Sequence, residues 1–264
     1  MKQIRIESVA ELIQHINDLS NHFLYRGQAN AAWQLMSSLE RVIGKDWSAE
    51  EAEKFETFSL KMFCSKFHLY DRENIKPESK LAWLSIMQHY GVPTRLIDFT
   101  ESPYVALYFA LESYNPDYEN DLALYAIDYT EIINRSIQYI RLKDKEFQET
   151  NITVFDNQDE IFEKVVDRFL YDIAWIAEPK ILNSRLDRQA GSFLLSGNRS
   201  VRIEDILSLP LYAATDLFKF IIPADLCKGI FSLLRKMNIT SKSLYGDLDG
   251  LARSIRMQMQ IYSI

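Results

Sequence analysis

The sequence predicts an α+β fold, in which a small mixed or antiparallel sheet is flanked by several helices. Three observations support this. Apolar residues recur at helical spacing behind residues that favour helix starts, short apolar segments with strand character lie between them, and the two kinds of element do not alternate regularly. The 264 residues include 47% apolar and 25% charged side chains, as in a globular protein. We expect a single domain over 1–264, with a motif-bearing core at about 20–252.

The first elements are a helix and a short strand. Ser8 is followed three residues later by Glu11, a spacing typical of a capping box at a helix start. Phe23–Tyr25 then predicts a strand, because aromatic and apolar residues follow one another there. Arg26 follows Tyr25 directly, so we expect this arginine to lie at the end of the strand.

Two longer helices follow. Ser48 and Glu51 repeat the capping-box spacing and predict the start of a long amphipathic helix. The apolar side of this helix consists of Phe55, Phe58, Met62, Phe63 and Phe67. Residues 78–90 predict a further helix that ends at Gly91, since glycine is favoured just past a helix end.

The rest of the chain mixes strands and helices. Residues 94–99 alternate as in a strand, and Ser102 before Pro103 predicts a helix start. The other predicted elements are strands at 122–127, 192–195 and 218–222, a helix within 159–175, and two helices from Ala224 onward, separated near 245–247.

Charge and composition argue against several classes of function. A formal net charge of −7 is unlike that of a general binder of nucleic-acid backbones, which usually carries a basic face. The sequence contains no apolar run of membrane-spanning length and no cysteine cluster typical of a metal site. Two cysteines and a start without an apolar signal region favour a cytoplasmic protein.

Tyr25–Gln28 is the first segment that carries polar chemistry. The planar guanidinium of Arg26, at the end of a strand, suits a phosphate or a carboxylate, and Gly27 permits the close approach of a ligand. Tyr25 can stack on a base or a nicotinamide, and Gln28 completes the candidate ligand-binding set. The alternative is that Arg26 pairs with a carboxylate of the domain itself.

Gln88–Ser102 is the second such segment. His89 can act as an acid, a base or a hydrogen-bond donor near neutral pH, which makes it a candidate catalytic residue. Tyr90 beside it is a second candidate for stacking on a base or a nicotinamide.

The strand within this second segment carries three further candidate ligand contacts. Arg95 and Asp98 are three residues apart and so lie on opposite faces of the predicted strand, which argues against a simple pair. Thr100 is the third candidate. Its position before a helix also allows a purely structural role, in which the hydroxyl only caps the helix.

These segments resemble the FRG domain family, which takes its name from an arginine-glycine motif near its start. The likeness rests on Tyr25–Gln28, on Leu81–Ala110, on Arg185 with Gln189, Gly191 and Phe193, and on the closing segment Leu244–Ala252. It extends over roughly 23–252. The resemblance implies a protein of bacteria or phages with a role in conflict or defence systems.

A more distant likeness is to ADP-ribosyltransferases. These enzymes bind NAD with an arginine on a first strand, a hydroxyl-bearing strand that leads into a helix, and a third strand that supplies a glutamate. Arg26–Gly27 resembles the first element, residues 98–110 resemble the second and residues 185–193 resemble the third. The resemblance implies an ADP-ribosyltransferase-like fold, with NAD as a substrate and Arg185 among the ligand contacts.

Gln189 stands where those enzymes commonly use glutamate. Glutamine can hydrogen-bond a ribose hydroxyl, but it lacks the charge that stabilises an oxocarbenium cation. Gln189 and His89 are therefore the candidate catalytic residues of an ADP-ribosyltransferase-like enzyme that acts on a nucleotide or a protein target. A second interpretation is a non-catalytic module that recognises a nucleotide, a nucleic acid or a protein. A third is purely structural, with ion pairs that involve Arg26, Arg95, Asp98 and Asp247.

Overall fold

A computed structural model describes residues 1–44, 47–71, 76–115, 120–179 and 188–262. Across these ranges the chain forms a seven-stranded mixed sheet flanked by helices, which confirms the predicted α+β class. The strands are β1 (Lys2–Arg5), β2 (Phe23–Gln28), β3 (Ile97–Thr100), β4 (Leu122–Asp128), β5 (Ala174–Ala177), β6 (Gly191–Ser196) and β7 (Leu217–Ile222). The α-helices are α1 (Val9–Asp18), α2 (Ser38–Ile43), α3 (Ala49–Phe67), α4 (Lys80–His89), α5 (Pro103–Glu112), α6 (Tyr129–Lys143), α7 (Asn151–Asp156), α8 (Gln158–Lys164), α9 (Ile203–Leu207), α10 (Cys227–Lys236), α11 (Ser241–Tyr245) and α12 (Leu248–Tyr262).

The strand order in the sheet is β1-β7-β4-β2-β3-β6-β5. Neighbouring strands are antiparallel except β1 and β7, which are parallel. β2 pairs with β4 along its whole length, from Phe23 to Gln28. On its other side, the register of β2 with β3 consists of Tyr25 opposite Thr100. The sheet therefore opens between β2 and β3 just after Tyr25.

Hydrophobic cores lie on both faces of the sheet. Successive residues of a strand point to opposite faces, and in β4 both sets are buried, with Tyr125 in one core and Leu124 in the other. α4 contributes Leu84 to the first core, and α5 contributes Leu107 to the second. α4 and α5 consequently lie on opposite faces of the sheet.

Gly27 determines how closely α5 packs on β2. A Cβ atom at this position would lie 1.9 Å from the backbone oxygen of Ala106 in α5. No side chain fits at that distance, so the glycine is required where the helix crosses the strand. Gly27 is therefore needed for helix packing, in addition to the predicted role of permitting the close approach of a ligand.

The predicted helix starts are confirmed by their caps. The side chains of Ser8, Ser48 and Ser102 each accept a hydrogen bond from the backbone N–H three residues further on. Pro103 occupies the first turn of α5, where its missing N–H removes no intrahelical bond. Each of these signals depends on four or five consecutive residues, which is why the sequence reveals them.

The apolar side of α3 is less buried than its pattern predicts. Three of its apolar residues are 40–63% exposed: Phe55, Phe58 and Met62. The buried positions are Ala52 and the carboxylate-bearing Glu56. Glu56 lies 3.2 Å from Nε of Arg95 and 3.0 Å from Nζ of Lys80. Ion pairs therefore anchor the buried side of this helix.

The start of β3 also differs from the prediction, because the strand begins at Ile97 and not at Thr94. The Thr94 hydroxyl donates to the side chain of Gln88 at 2.7 Å and accepts the N–H of Leu96 at 3.2 Å. Such local side-chain bonds compete with the strand ladder. They delay the strand and tie its approach to the end of α4. β1 and β5 are strands that the sequence did not predict.

The C-terminal part contains three α-helices, α10, α11 and α12, where the sequence predicts two. The predicted break near 245–247 is confirmed, since α11 ends at Tyr245 and is capped by Gly246, which has a positive φ of 74°. A further break between Lys236 and Ser241 separates α10 from α11. In the part of the chain that the structure describes, no helix is long and apolar enough to cross a membrane.

Candidate functional site

A cleft of about 510 Å³ lies where β2 and β3 part, and we call it the β2–β3 cleft. The end of α4 borders it from one face of the sheet, and α5, with Tyr245 and Arg253, borders it from the other. The start of β6 adds Gly191 and Phe193. Two fully paired strands would leave no such gap, so the short register between β2 and β3 creates the site.

Seven of the residues predicted from the sequence line this cleft. They are Tyr25, Arg26, Gly27, His89, Asp98, Thr100 and Gln189. They come from β2, the end of α4, β3 and the segment just before β6. Segments that are far apart in the sequence are thereby gathered around one cavity.

Arg26 bridges the gap between the two strands. Its Nη1 donates to the backbone oxygen of Asp98 at 2.7 Å and lies 3.9 Å from the Asp98 carboxylate. Burial lowers the pKa of Arg26 below its ordinary value, the Asp98 carboxylate opposes this shift, and the positive charge of Arg41 adds to it. The Nε atom of Arg26 is buried and has no hydrogen-bond partner among the described residues.

Tyr25 forms part of the apolar wall of the cleft. Its side chain is 4% exposed and belongs to the core on the α5 side of the sheet. Burial, with a further contribution from Tyr104, raises the pKa of Tyr25 to about 12. Its hydroxyl consequently stays protonated across the physiological range.

Gln88 holds the Asp98 side chain in place, although the sequence did not single it out as a site residue. Its Nε2 donates to Asp98 Oδ2 at 3.0 Å and to the backbone oxygen of Leu96 at 3.2 Å. Its Oε1 accepts the hydroxyl of Thr94 at 2.7 Å. The last turn of α4 is thus joined to β3, and this junction forms one rim of the cleft.

His89 and Tyr90 differ in their relation to the cleft. His89 is the last residue of α4 and lines the cavity. Tyr90 is 62% exposed and lies outside the lining residues, with its ring edge-on to His89 at 4.7 Å between centroids. Tyr90 therefore stands outside the lining of this cleft, and its stacking on a ligand stays a prediction.

Thr100 and Gln189 meet where β3 lies beside the start of β6. Thr100 Oγ1 donates to the backbone oxygen of Gln189 at 2.6 Å and accepts the N–H of Ser102 at 3.1 Å. The Nε2 atom of Gln189 is buried and has no hydrogen-bond partner in the described ranges. Arg185, the other predicted contact in this segment, lies outside the described residues.

Gln28 and Arg95 lie outside the lining of the cleft, and their contact with a ligand stays a prediction. Gln28 is 7% exposed and donates to the backbone oxygen of Gln34 at 3.3 Å. Arg95 is 9% exposed and forms ion pairs with Glu56 and Asp167. These carboxylates lie on elements remote in sequence, so the local pattern did not predict the pairing.

Arg95 and Asp247, two charged residues of the motifs singled out from the sequence, each have partners within the fold. The rings of Phe162 and Phe169 lie 5.0 and 4.4 Å from the Arg95 guanidinium, which completes a structural cluster around this arginine. Asp247 accepts the N–H of Gly250 at 2.7 Å and caps the start of α12. Arg95 thus forms structural ion pairs, as the third interpretation predicts, whereas Asp247 caps a helix.

Glu112 is a cleft residue that the sequence did not suggest. The hydroxyls of Tyr108 and Tyr245 donate to its two carboxylate oxygens at 2.9 and 2.7 Å, and Arg253 Nη1 lies 3.7 Å away. Burial raises the pKa of Tyr108, so this donor stays protonated. The signal that was present is the spacing of Phe109 and Glu112, one turn apart on α5, which puts both on one side of the helix.

The charged groups of the cleft fall into two sets. Arg26, Arg41 and Asp98 belong to the set near α4, and Glu112 and Arg253 belong to the set near α11 and α12. Three arginines face two carboxylates, although the whole chain carries a net charge of −7. The cleft therefore concentrates positive charge in an acidic protein, as an anion site requires.

A comparison with known protein families matches the part of the chain that contains β2, α4 and β3. No curated protein and no solved structure matches the chain. The model of the FRG domain matches residues 21–119, a range that contains Arg26, His89, Asp98 and Thr100. The chain therefore contains an FRG domain.

Proposed function

We propose that the β2–β3 cleft binds a dinucleotide of the NAD type, in which a diphosphate joins the two nucleosides. The observation that supports this is a pair of buried donors, Arg26 Nε and Gln189 Nε2, which lack partners among the described residues and belong to two residues that line one cavity. Leaving a buried donor unsatisfied costs roughly 1–3 kcal/mol. A ligand that brings several oxygen acceptors into the cleft would satisfy both groups.

The arginines of the cleft specify the kind of acceptor. Arg26 is fixed by Asp98 through one nitrogen, which leaves its Nε for a ligand. Arg41 lies near enough to lower the pKa of Arg26, so two positive charges act on the same region. A diphosphate carries enough negative charge and enough oxygens to bind both, and guanidinium groups suit phosphate geometry.

The arrangement of the strands supports the NAD type in particular. β2 carries Arg26, β3 carries Thr100 and leads into α5, and β6 follows Gln189, in the same order as the three elements that resemble ADP-ribosyltransferases. These strands are neighbours in the sheet, in the order β2-β3-β6. A dinucleotide that spans the cleft would touch all three.

The uncharged side chain of Gln189 bears on whether the cleft catalyses a reaction. ADP-ribosyl transfer breaks the bond between nicotinamide and ribose, and a negative charge beside the ribose favours that step. Gln189 is uncharged at the position that resembles the glutamate of those enzymes. This residue favours the alternative candidate, a module that binds the nucleotide without turning it over. A role in conflict between bacteria and phages, in the cytoplasm, remains a prediction from the family resemblance.

Calorimetry with NAD tests the binding proposal. We expect the wild type to bind, and both Arg26→Ala and Gln189→Ala to lose affinity by about tenfold or more, as expected for a lost hydrogen bond to a charged group. Arg135→Ala is the matched control, because Arg135 pairs with Glu131 on α6 and lies outside the cleft. Equal affinities for wild type and Arg26→Ala contradict the proposal.

Turnover is measured separately, as release of nicotinamide from NAD. Release by the wild type that disappears in Arg26→Ala supports an ADP-ribosyltransferase-like enzyme. Binding without release supports the recognition module. The two results separate catalysis from recognition without a change of ligand.

A further inference from the structure

The carboxylate of Glu112 is held rigidly at the side of the β2–β3 cleft formed by α5, α11 and α12. Its side chain is 15% exposed, although it lines the cavity. Tyr108 is in α5 itself, one turn before Glu112, and Tyr245 is the last residue of α11. A carboxylate fixed by donors from two elements keeps one orientation when a ligand enters.

Each carboxylate oxygen of Glu112 retains capacity for a further hydrogen bond. An ionised carboxylate offers about four lone-pair positions on two oxygens. Tyr108 donates to Oε1 and Tyr245 donates to Oε2, which uses one position on each. Arg253 Nη1, at 3.7 Å from Oε1, is beyond hydrogen-bond distance. Among the described residues no other donor bonds these oxygens, so one acceptor position remains on each of the two.

The neighbouring wall of the cleft is apolar and belongs to the same helix. Ala106, Phe109 and Glu112 recur every three residues along α5, and all three line the cavity. The Phe109 ring thus lies one turn from the carboxylate. This wall combines an apolar surface with two aligned acceptors, which is suited to a sugar and repels a phosphate.

We propose that the Glu112 carboxylate accepts hydrogen bonds from the two vicinal hydroxyls of the ribose that is joined to the diphosphate. It thereby selects ribonucleotides. The inference rests on the proposed function of the cleft. Two donors on adjacent carbons match two acceptors on one carboxylate. The diphosphate lies toward Arg26 in this arrangement, and the sugar lies toward α5.

The test compares ADP with 2′,3′-dideoxy-ADP by calorimetry. We expect the wild type to bind ADP at least about tenfold more tightly, because the dideoxy sugar cannot donate to the carboxylate. Glu112→Gln should weaken ADP binding toward the level of the dideoxy ligand and leave the dideoxy ligand itself nearly unchanged. A merely structural role of Glu112 would weaken both ligands equally.

Asp249→Asn is the matched control. Asp249 is the other carboxylate near Arg253, at 3.4 Å, and it lies outside the lining of the cleft. This variant should keep the preference of the wild type for ADP. Loss of the preference would assign it to Arg253 and overturn the assignment to Glu112.

The remaining outcomes separate this inference from the proposed function. The ratio of the two affinities in the wild type needs no variant, so a Glu112→Gln protein that fails to fold leaves the inference falsifiable. Equal affinities for ADP and the dideoxy ligand, with binding that depends on Arg26, overturn the Glu112 assignment alone. Absence of binding by NAD and by ADP overturns both proposals.

Discussion

Arg26 Nη1 donates a 2.7 Å hydrogen bond to the backbone oxygen of Asp98 at the point where β2 and β3 cease to pair. The side chain thus bridges two strands that no longer bond through their backbones. Because the same arginine also has a buried Nε without a partner among the described residues, it serves the fold and the cleft together. Variants of Arg26 must therefore be measured for stability as well as for binding.

Arg26→Lys separates these two roles. Lysine keeps the positive charge but offers a compact donor group in place of a planar fork. We expect NAD affinity to fall by about tenfold and the free energy of unfolding to fall by about 1 kcal/mol. Urea unfolding and calorimetry measure the two quantities. Unchanged affinity for NAD would show that the fork has no role in binding.

Gly27→Ala should be strongly destabilising. The added methyl group would lie 1.9 Å from the Ala106 oxygen, so α5 would have to move away from β2. We expect a loss of about 3 kcal/mol or more in the free energy of unfolding, measured in urea. Gly91→Ala is the comparison, because its φ of 80° is strained for alanine but its Cβ would meet no atom within 4 Å. A loss of about 1–2 kcal/mol is expected there.

Glu56→Gln tests the ion-pair cluster that anchors α3. Glu56 is buried and lies near Lys80, Arg95 and Arg199. Its neutralisation leaves Lys80 and Arg95 with the partly exposed Asp167, and Arg199 with the exposed Glu53. We expect the free energy of unfolding to fall by about 3–5 kcal/mol.

Glu53→Gln provides the control for this cluster. Glu53 also pairs with Arg199, at 3.3 Å, but its side chain is 63% exposed. Its loss should change the free energy of unfolding by no more than about 0.5 kcal/mol. Similar effects of the two substitutions would contradict a buried cluster. NAD affinity should remain that of the wild type in both.

Glu178 gives the protein a pH dependence with a definite sign. Burial raises its pKa above 4.5, the Ser192 hydroxyl opposes the shift and the charge of Glu101 adds to it. The folded state then binds its proton more tightly than the unfolded state, so stability falls as pH rises from about 4.5 through the raised pKa. Glu178→Gln should therefore raise the melting temperature at pH 7 and reduce this slope.

Glu101→Gln serves as the partner measurement. It removes a charge that raises the pKa of Glu178 and leaves the burial of Glu178 unchanged. A smaller rise in the melting temperature at pH 7 is expected. A melting temperature that falls on Glu178→Gln would show that the Ser192 hydrogen bond outweighs burial.

The elements that the sequence predicted well depend on neighbouring residues. The cap at Ser102, the proline after it and the end of α11 at Gly246 each require a few consecutive residues, and all were confirmed. The apolar side of α3 was only partly buried, because helical spacing gives the residues that share a face and not the surface that covers them.

The sequence by itself determined the α+β class, the helix starts and seven lining residues of the cleft, six of them in the two polar segments and the seventh at Gln189. Tertiary structure decided which polar residues work together. It paired Arg95 with Glu56 and Asp167 away from the cleft, and it joined Glu112 to Tyr245, which is 133 residues away. The physical reason is that caps and periodicity act within a few residues, whereas hydrogen bonds and ion pairs depend on distances in space that the folded chain alone sets.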